Sequence, residues 1–311
     1  MAIGLGFGAT LVPNPQLWDT LSLAIYMMVV IGTIDDRFDL PPQTRLIAQT
    51  CAALLVTFGT GVVITDLGAP LFFELSLGPL GPPFTVLFIM TVINGFNVID
   101  GLDGLAGGLA FLALCVLAVF GFGTDVFPLT VLLATVVVAF LLFNLPLGFN
   151  RPVRAFMGDA GSTALGLAIA SIGIALSQGE GARISPVVGL WLVAVPIFDL
   201  FAAIMRRIAD GKSPFAPDHE HLHHTLVASG LTRRAALLVM LSFGVVCTAV
   251  AVVAHLLSPP DGVLLFAWLG TGVLYYQIIR RPHLVVGIVF ALQSRYRNAF
   301  PEVGRDRKEV S

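Results

Sequence analysis

The segment PFTVLFIMTVINGFNVIDGLDGLAGGLAFLALCVLAVFGF, residues 83–122, decides what kind of molecule this is. Two apolar runs, 83–98 and 104–122, are each about long enough to cross a hydrocarbon core of roughly 30 Å as a helix. Between them lies a polar hinge. The stretch NGFNVIDGLDGLAGG, Asn94 to Gly108, sets two amides and two carboxylates where the first run ends. An ionised Asp in mid-hydrocarbon costs roughly 2.5 to 3.5 kcal/mol on insertion scales, so Asp100 and Asp103 imply a water boundary or a compensating role.

The rest of the chain repeats this pattern. Further apolar runs occupy 17–34, 45–65, 127–147, 160–177, 184–205, 235–257 and 262–280. With 57% hydrophobic and 12% charged residues and a mean hydropathy of +0.92, the 311-residue chain is too apolar for a soluble globule. The expected fold is all-α: a polytopic membrane helix bundle of about nine full transmembrane helices plus a partial N-terminal one, in a single domain over 1–311 with a tail at 281–311. Residues 2–12 are too short to span and lack the basic stretch of a signal peptide, so they are expected to be the end of a longer helix whose start is truncated or misassigned. Cys51, Cys115 and Cys247 fall inside the runs, without metal or disulfide spacing.

Charge gives the orientation. If the chain zigzags through these runs, 16 of its 17 Lys and Arg residues lie on one side, Arg183 being the exception. An excess of Lys and Arg marks cytoplasmic loops. That face is therefore expected to be cytoplasmic. The opposite connection at 66–83, with its FFELSL segment between Gly and Pro, is read as a small hairpin.

The polar clusters all fall on the basic side: DDRFD (Asp35 to Asp39), the opening stretch, FMGDAGST (Phe156 to Thr163) and SPFAPDHEHLHH (Ser213 to His224). Carboxylates grouped with amide oxygens and cations suit a divalent ion held by hard oxygen ligands and shared with substrate phosphates. Mg²⁺ fits best, since it takes one or two carboxylates and keeps its other positions for water or phosphate. In GDAGS, the helix after Asp159 would present its N-terminal amides to an anion. Each cluster also has a structural reading: Asp35 and Asp36 as a solvated helix end, DGLDG as a turn with Asx hydrogen bonds, GDAGS as a helix cap, and His219, His221, His223 and His224 as a surface tract or transition-metal site. Asp199 in VPIFDLFAAIMRR is less easily absorbed. Seven residues before Arg206, or about 10 Å at 1.5 Å per residue, it should lie below the interface, facing the bundle interior, with a partner from another helix.

Taken together, GTIDDRFDLPPQTR (32–45), NGFNVIDGLDGLAGG (94–108), FMGDAGST (156–163), PIFDLFAAIMRR (196–207) and SPFAPDHEHLHH (213–224) resemble, in order, the polyprenyl-phosphate N-acetylhexosamine-1-phosphate transferases. The resemblance covers roughly residues 20–240. HLHH at 221–224 is closer to the WecA-type branch, which uses UDP-GlcNAc, than to the MraY branch. It implies an enzyme that moves a sugar 1-phosphate from UDP-GlcNAc or a related UDP-HexNAc to undecaprenyl phosphate, a membrane lipid. UMP is released, Mg²⁺ is required with Mn²⁺ as a substitute, and the lipid-linked product initiates a cell-envelope glycan such as O-antigen.

Carried over position by position, the resemblance makes Asp159 a Mg²⁺ ligand with Asn97 as a second. Asp100 and Asp103 line the nucleotide end, Asn94 and Asn97 bind substrate, and Arg45 and Arg154 are substrate-binding cations. Asp35 and Asp36 form the acidic pair, and His221, His223 and His224 contact donor phosphate or sugar. The mechanism expected is in-line displacement at the sugar-linked phosphorus, with a covalent aspartyl intermediate as the rival. The motifs leave oligomeric state open, a homodimer included, and suggest no nucleic-acid partner.

Three other readings are weaker. An MraY-like phospho-MurNAc-pentapeptide transferase carries a different histidine motif. A CDP-alcohol phosphotransferase expects an Ala–Arg pair after its first DG, where this chain has Leu105–Ala106–Gly107. An ion-coupled transporter expects carboxylates spread through the membrane depth.

Overall fold

The structure, a computed structural model, describes residues 14–146, 153, 155–213, 221–281 and 287. Among the described residues every regular element is a helix, with no strand. The connection at 66–83 folds back through a single antiparallel bridge between Asp66 and Ser76, short of a full hairpin.

Local chemistry sets the helix ends. The first helix, α1 (Pro15–Phe38), starts with Pro at its first position and Asn14 as N-cap, whose Oδ1 accepts from Leu17 N at 3.2 Å. It stops at Asp39, in the left-handed region at φ 50°, and Pro42 opens α2 (Pro42–Gly59). The polar hinge of the opening segment separates α3 (Gly81–Ile99) from α4 (Leu105–Phe120), and α5 (Phe127–Asn144) follows. Next come α6 (Gly158–Ser177), α7 (Pro186–Leu192) capped by Ser185, and α8 (Ala194–Ala209). A short α9 (Leu222–Ala228) leads to α10 (Arg233–Leu257), capped by Thr232, and α11 (Asp261–Arg280).

Six of these helices (α1, α5, α6, α10, α11, and α3 with the 3₁₀ turn before it) are long and apolar enough to cross a membrane; α7 and α8 together would make a seventh. The chain is therefore an integral, polytopic helical membrane protein. All nine predicted runs are helical, yet length and composition do not support nine full spans: α2 is more polar and α4 shorter. The run at 184–205 breaks into α7 and α8, bent by 77°. Pro196 explains the bend, since it has no N–H for the Leu192 carbonyl and its ring crowds that turn. Leu142, Leu256 and Phe122 on the outer surface are 70% or more exposed, as hydrocarbon-facing side chains would be.

The packing centres on α6, the most buried span, which contacts α1, α3 and α4. Glycines allow these approaches. A Cβ on Gly32 of α1 would lie closer than 3.0 Å to the Ala160 backbone, and one on Gly166 of α6 would lie 2.7 Å from Ile93 Cα of α3. The site-bearing ends of α1, α3 and α6 are therefore held backbone against backbone.

Candidate active site

α6 begins at Gly158 with no side-chain cap of its own. The first N–H groups of a helix need acceptors, and here α1 supplies one: Asp36 Oδ1 accepts from Asp159 N at 2.9 Å and Asp36 Oδ2 from Ala160 N at 3.4 Å. Glycine suits position 158, because its φ is +63° and a Cβ there would lie 2.6 Å from Asp36 Oδ2. The anion expected at these amides is thus the chain's own Asp36.

Asp159 projects from this anchored turn. Its Oδ1 accepts from Asn97 Nδ2 at 2.6 Å, and its Oδ2 lies 3.5 Å from Arg45 Nη1. The same Arg45 nitrogen lies 3.3 Å from Asp35 Oδ2, while Asp35 Oδ1 accepts from Leu40 N at 2.8 Å. Asp35, Arg45, Asp159 and Asn97 form one chain of contacts across α1, α2, α6 and α3. Arg45 is half-exposed, so its pairs contribute little to stability and serve to place the carboxylates.

Next to this chain is a cavity of about 420 Å³, lined by Asn97, Asp100, Asp103, Asn144, Asp159 and Arg233 among others. A separate apolar cavity between α3, α6 and α7 has no ionisable lining and lies at the opposite ends of those helices. The ionisable side chains line the first. There, burial, reinforced by Asp159, Asp103 and Asp36, pushes the Asp100 carboxyl up to about 7. Acids crowded to this degree call for a cation.

The donor set fits a hard divalent ion. Asp159 offers a carboxylate, and the Asn97 side chain that touches it also carries a carbonyl oxygen. Among the described residues, no group of three or more His, Cys, Asp or Glu side chains is placed to hold a metal by itself. Mg²⁺ takes few protein ligands and completes its shell with phosphate and water, so a carboxylate and an amide oxygen would suffice to anchor it.

The histidine segment reaches the same end of the bundle. His223 of α9 is buried against the hinge: a Cβ on Gly101 would lie 2.6 Å from its Nε2. Among the described residues neither of its ring nitrogens has a hydrogen-bond partner, and burial, then the neighbouring His224, lowers its pKa to about 4. His223 and His224 rings lie 4.1 Å apart, and His221 packs beside both. His221 Nδ1 lies 2.8 Å from Asp199 Oδ2, a close contact without hydrogen-bond alignment.

Other sequence-predicted residues fall elsewhere. Asn94 sits one turn before Asn97, with Nδ2 donating to Gln49 Oε1 at 2.7 Å and to Met90 O at 2.7 Å. It ties α2 to α3 and does not line the cavity. Arg154 and His219 lie outside the described residues. Two residues were missed. Asn144, 5% exposed, accepts from Gly104 N at 2.7 Å and donates to Ala155 O at 2.8 Å, joining the hinge to the segment before α6. A lone Asn closing the run FLLFN was the available signal. Arg233 lines the cavity from the start of α10, where it read only as one more cation of the basic face.

The raised Asp100 value has a consequence for stability. The folded chain keeps this proton up to about 7, whereas the group ordinarily titrates near 3.8. Folding therefore takes up a proton between those values, and stability falls as pH rises through that window. His223 acts oppositely: its folded pKa of about 4 lies below the ordinary 6.5, so its contribution rises with pH from about 4 to 6.5. Comparison with Asp100→Asn separates the two. In detergent with a chelator, the wild-type melting temperature should drop relative to that of the variant between about pH 4 and 7, and a pH-independent difference would contradict the assignment.

Comparison with known proteins agrees with this arrangement. The model for Glycosyl transferase family 4 matches residues 18–177. An undecaprenyl-phosphate alpha-N-acetylglucosaminyl 1-phosphate transferase of Haemophilus influenzae is 37% identical over 248 residues, covering 76% of this chain and 70% of that protein. Proteins of the same name from Yersinia pestis and Escherichia coli K12 are each 32% identical, over 279 and 277 residues, covering 88% and 87% of this chain and 76% and 75% of theirs. With acids, amides and histidines from five separated motifs gathered at one end of such a bundle, the chain belongs to glycosyl transferase family 4, the family its motifs resemble.

Proposed function

We propose that the protein transfers N-acetylglucosamine 1-phosphate from UDP-GlcNAc to undecaprenyl phosphate at the cytoplasmic face of the bacterial inner membrane, releasing UMP. The names of its relatives support this transferred group and acceptor. The observation that carries the reading is the contact chain Asp35–Arg45–Asp159–Asn97 beside the acidic cavity. An acidic pocket at the ends of membrane helices supports a reading in which a water-soluble nucleotide sugar and a lipid phosphate meet there. The bundle passes the membrane about nine times on this reading, with α2, α4 and the bent α7–α8 pair completing the count, and its basic loops face the cytoplasm.

The residues suit direct displacement. The lipid phosphate, a monoester with a second pKa of about 6, is largely dianionic at neutral pH and needs little help from a base. Its oxygen attacks the sugar-linked phosphorus, the bond from that phosphorus to the bridging oxygen breaks, and UMP leaves with the electron pair. Asp159, with Asn97, would hold Mg²⁺, which when bound would neutralise charge on the leaving UMP. Arg45, fixed between two carboxylates, and Arg233 at the cavity wall attract the donor's phosphates. Asp36 holds the start of α6, so that Asp159 does not drift.

The test is UMP release from UDP-GlcNAc by the purified chain. Release should require both polyprenyl phosphate and Mg²⁺. No release with any UDP-sugar would overturn the reading, and a phosphorylated enzyme trapped with donor alone would replace direct displacement by a two-step route.

A further inference from the structure

Asp199 is fully buried on α8, and its carboxylate is surrounded by groups from two other segments. Oδ1 accepts from Tyr275 Oη of α11 at 2.7 Å and from Leu222 N, the first amide of α9, at 3.2 Å. Oδ2 faces His221 Nδ1. A carboxylate this deep is costly unless donors meet it, and with no aligned donor to Oδ2 among the described residues the two bonds to Oδ1 carry it, so losing one leaves the other alone.

The contacts run in one direction. α9 is seven residues long and cannot hold its position by its own hydrogen bonds. Asp199 fixes its first amide and the residue before it. α9 in turn presents His223 to Gly101, next to Asp100 and the cavity. Tyr275, 3% exposed and packed against Phe198 and Phe243, orients Asp199 from the last described helix. It lies beyond residues 18–177 and outside the motif-bearing region.

We infer that Tyr275 is a positioning residue of the active site, acting through Asp199 to fix the α9 segment that carries His223 and His224 against the DGLDG hinge. The inference rests on the proposed function for its effect on turnover, while its structural core stands apart from it.

Two measurements on the 311-residue chain in lipid nanodiscs test it. Tyr275→Phe removes the hydroxyl and keeps the ring; Asp199→Asn removes the charge. Phe198→Leu disturbs the same packing without touching either hydrogen bond. Amide hydrogen exchange across 221–228 should quicken about tenfold in Tyr275→Phe and in Asp199→Asn, and remain near wild type in Phe198→Leu. In the UMP assay, Tyr275→Phe should lower kcat about tenfold with little change in the KM for lipid phosphate, and the double variant should be no slower than Asp199→Asn alone. Unchanged exchange in Tyr275→Phe, an equal rise in Phe198→Leu, or losses that multiply in the double variant would each overturn the inference. A wild-type chain that exchanges as expected but releases no UMP would defeat the proposed function and leave the positioning contact established.

Discussion

Asp159→Asn should reduce UMP release by about 10³-fold while leaving the folded protein in place. The fold at this position rests on backbone groups: Asp159 N donates to Asp36, and Asp159 O accepts from Thr163 Oγ1. Asparagine keeps both and nearly the same volume. What it removes is the negative charge that faces Arg45 and that the proposed ion requires. The variant should therefore melt close to the wild type and need far more Mg²⁺ for any residual turnover. Activity within a few-fold of wild type at ordinary Mg²⁺ would remove Asp159 from the centre of the chemistry.

Gly32→Ala should act as strongly on geometry as Asp159→Asn does on charge. The added methyl would meet the Ala160 and Asp159 backbone at less than 3.0 Å, and neither helix can yield by rotating a side chain. Overpacking of this kind costs about 1–3 kcal/mol, and the relief open to the bundle is separation of α1 from α6. That movement carries Asp35 and Asp36 away from Asp159. A displacement near 1 Å costs about 100-fold in rate where catalysis depends on position. The expected result is a lowered melting temperature together with a loss of kcat on that scale. Gly270→Ala, in α11 with nothing within 4 Å, should change neither. Equal behaviour of the two variants would mean that the close approach of α1 and α6 is unimportant.

What could be read in the sequence was composition and periodicity: the helical runs, the gathering of polar motifs at one end, and the need of Asp199 for a partner on another helix. Asp199 could be placed because helix rise is local arithmetic. Its partner, Tyr275, could not, because 76 residues separate them and only packing brings them together. The same reason hid Asn144 and Arg233. Asn94 and Asn97 look alike on paper. Three residues apart on α3, they meet different neighbours, Gln49 on α2 for one and Asp159 on α6 for the other. The break of one apolar run into α7 and α8 was legible in Pro196, whose effect a hydropathy window does not register.

The hold of Asp36 on the start of α6 also sets a schedule for biogenesis. Its amide partner lies 123 residues downstream. A ribosome adding roughly 5–20 residues per second takes roughly 6–25 s to make that length. Through that interval α1 is inserted with its carboxylates hydrated at the membrane surface, and α6 has yet to enter. A nascent chain therefore lacks the anchored turn that carries Asp159 until its middle has been threaded, and His223 on α9 and Arg233 on α10 arrive later still.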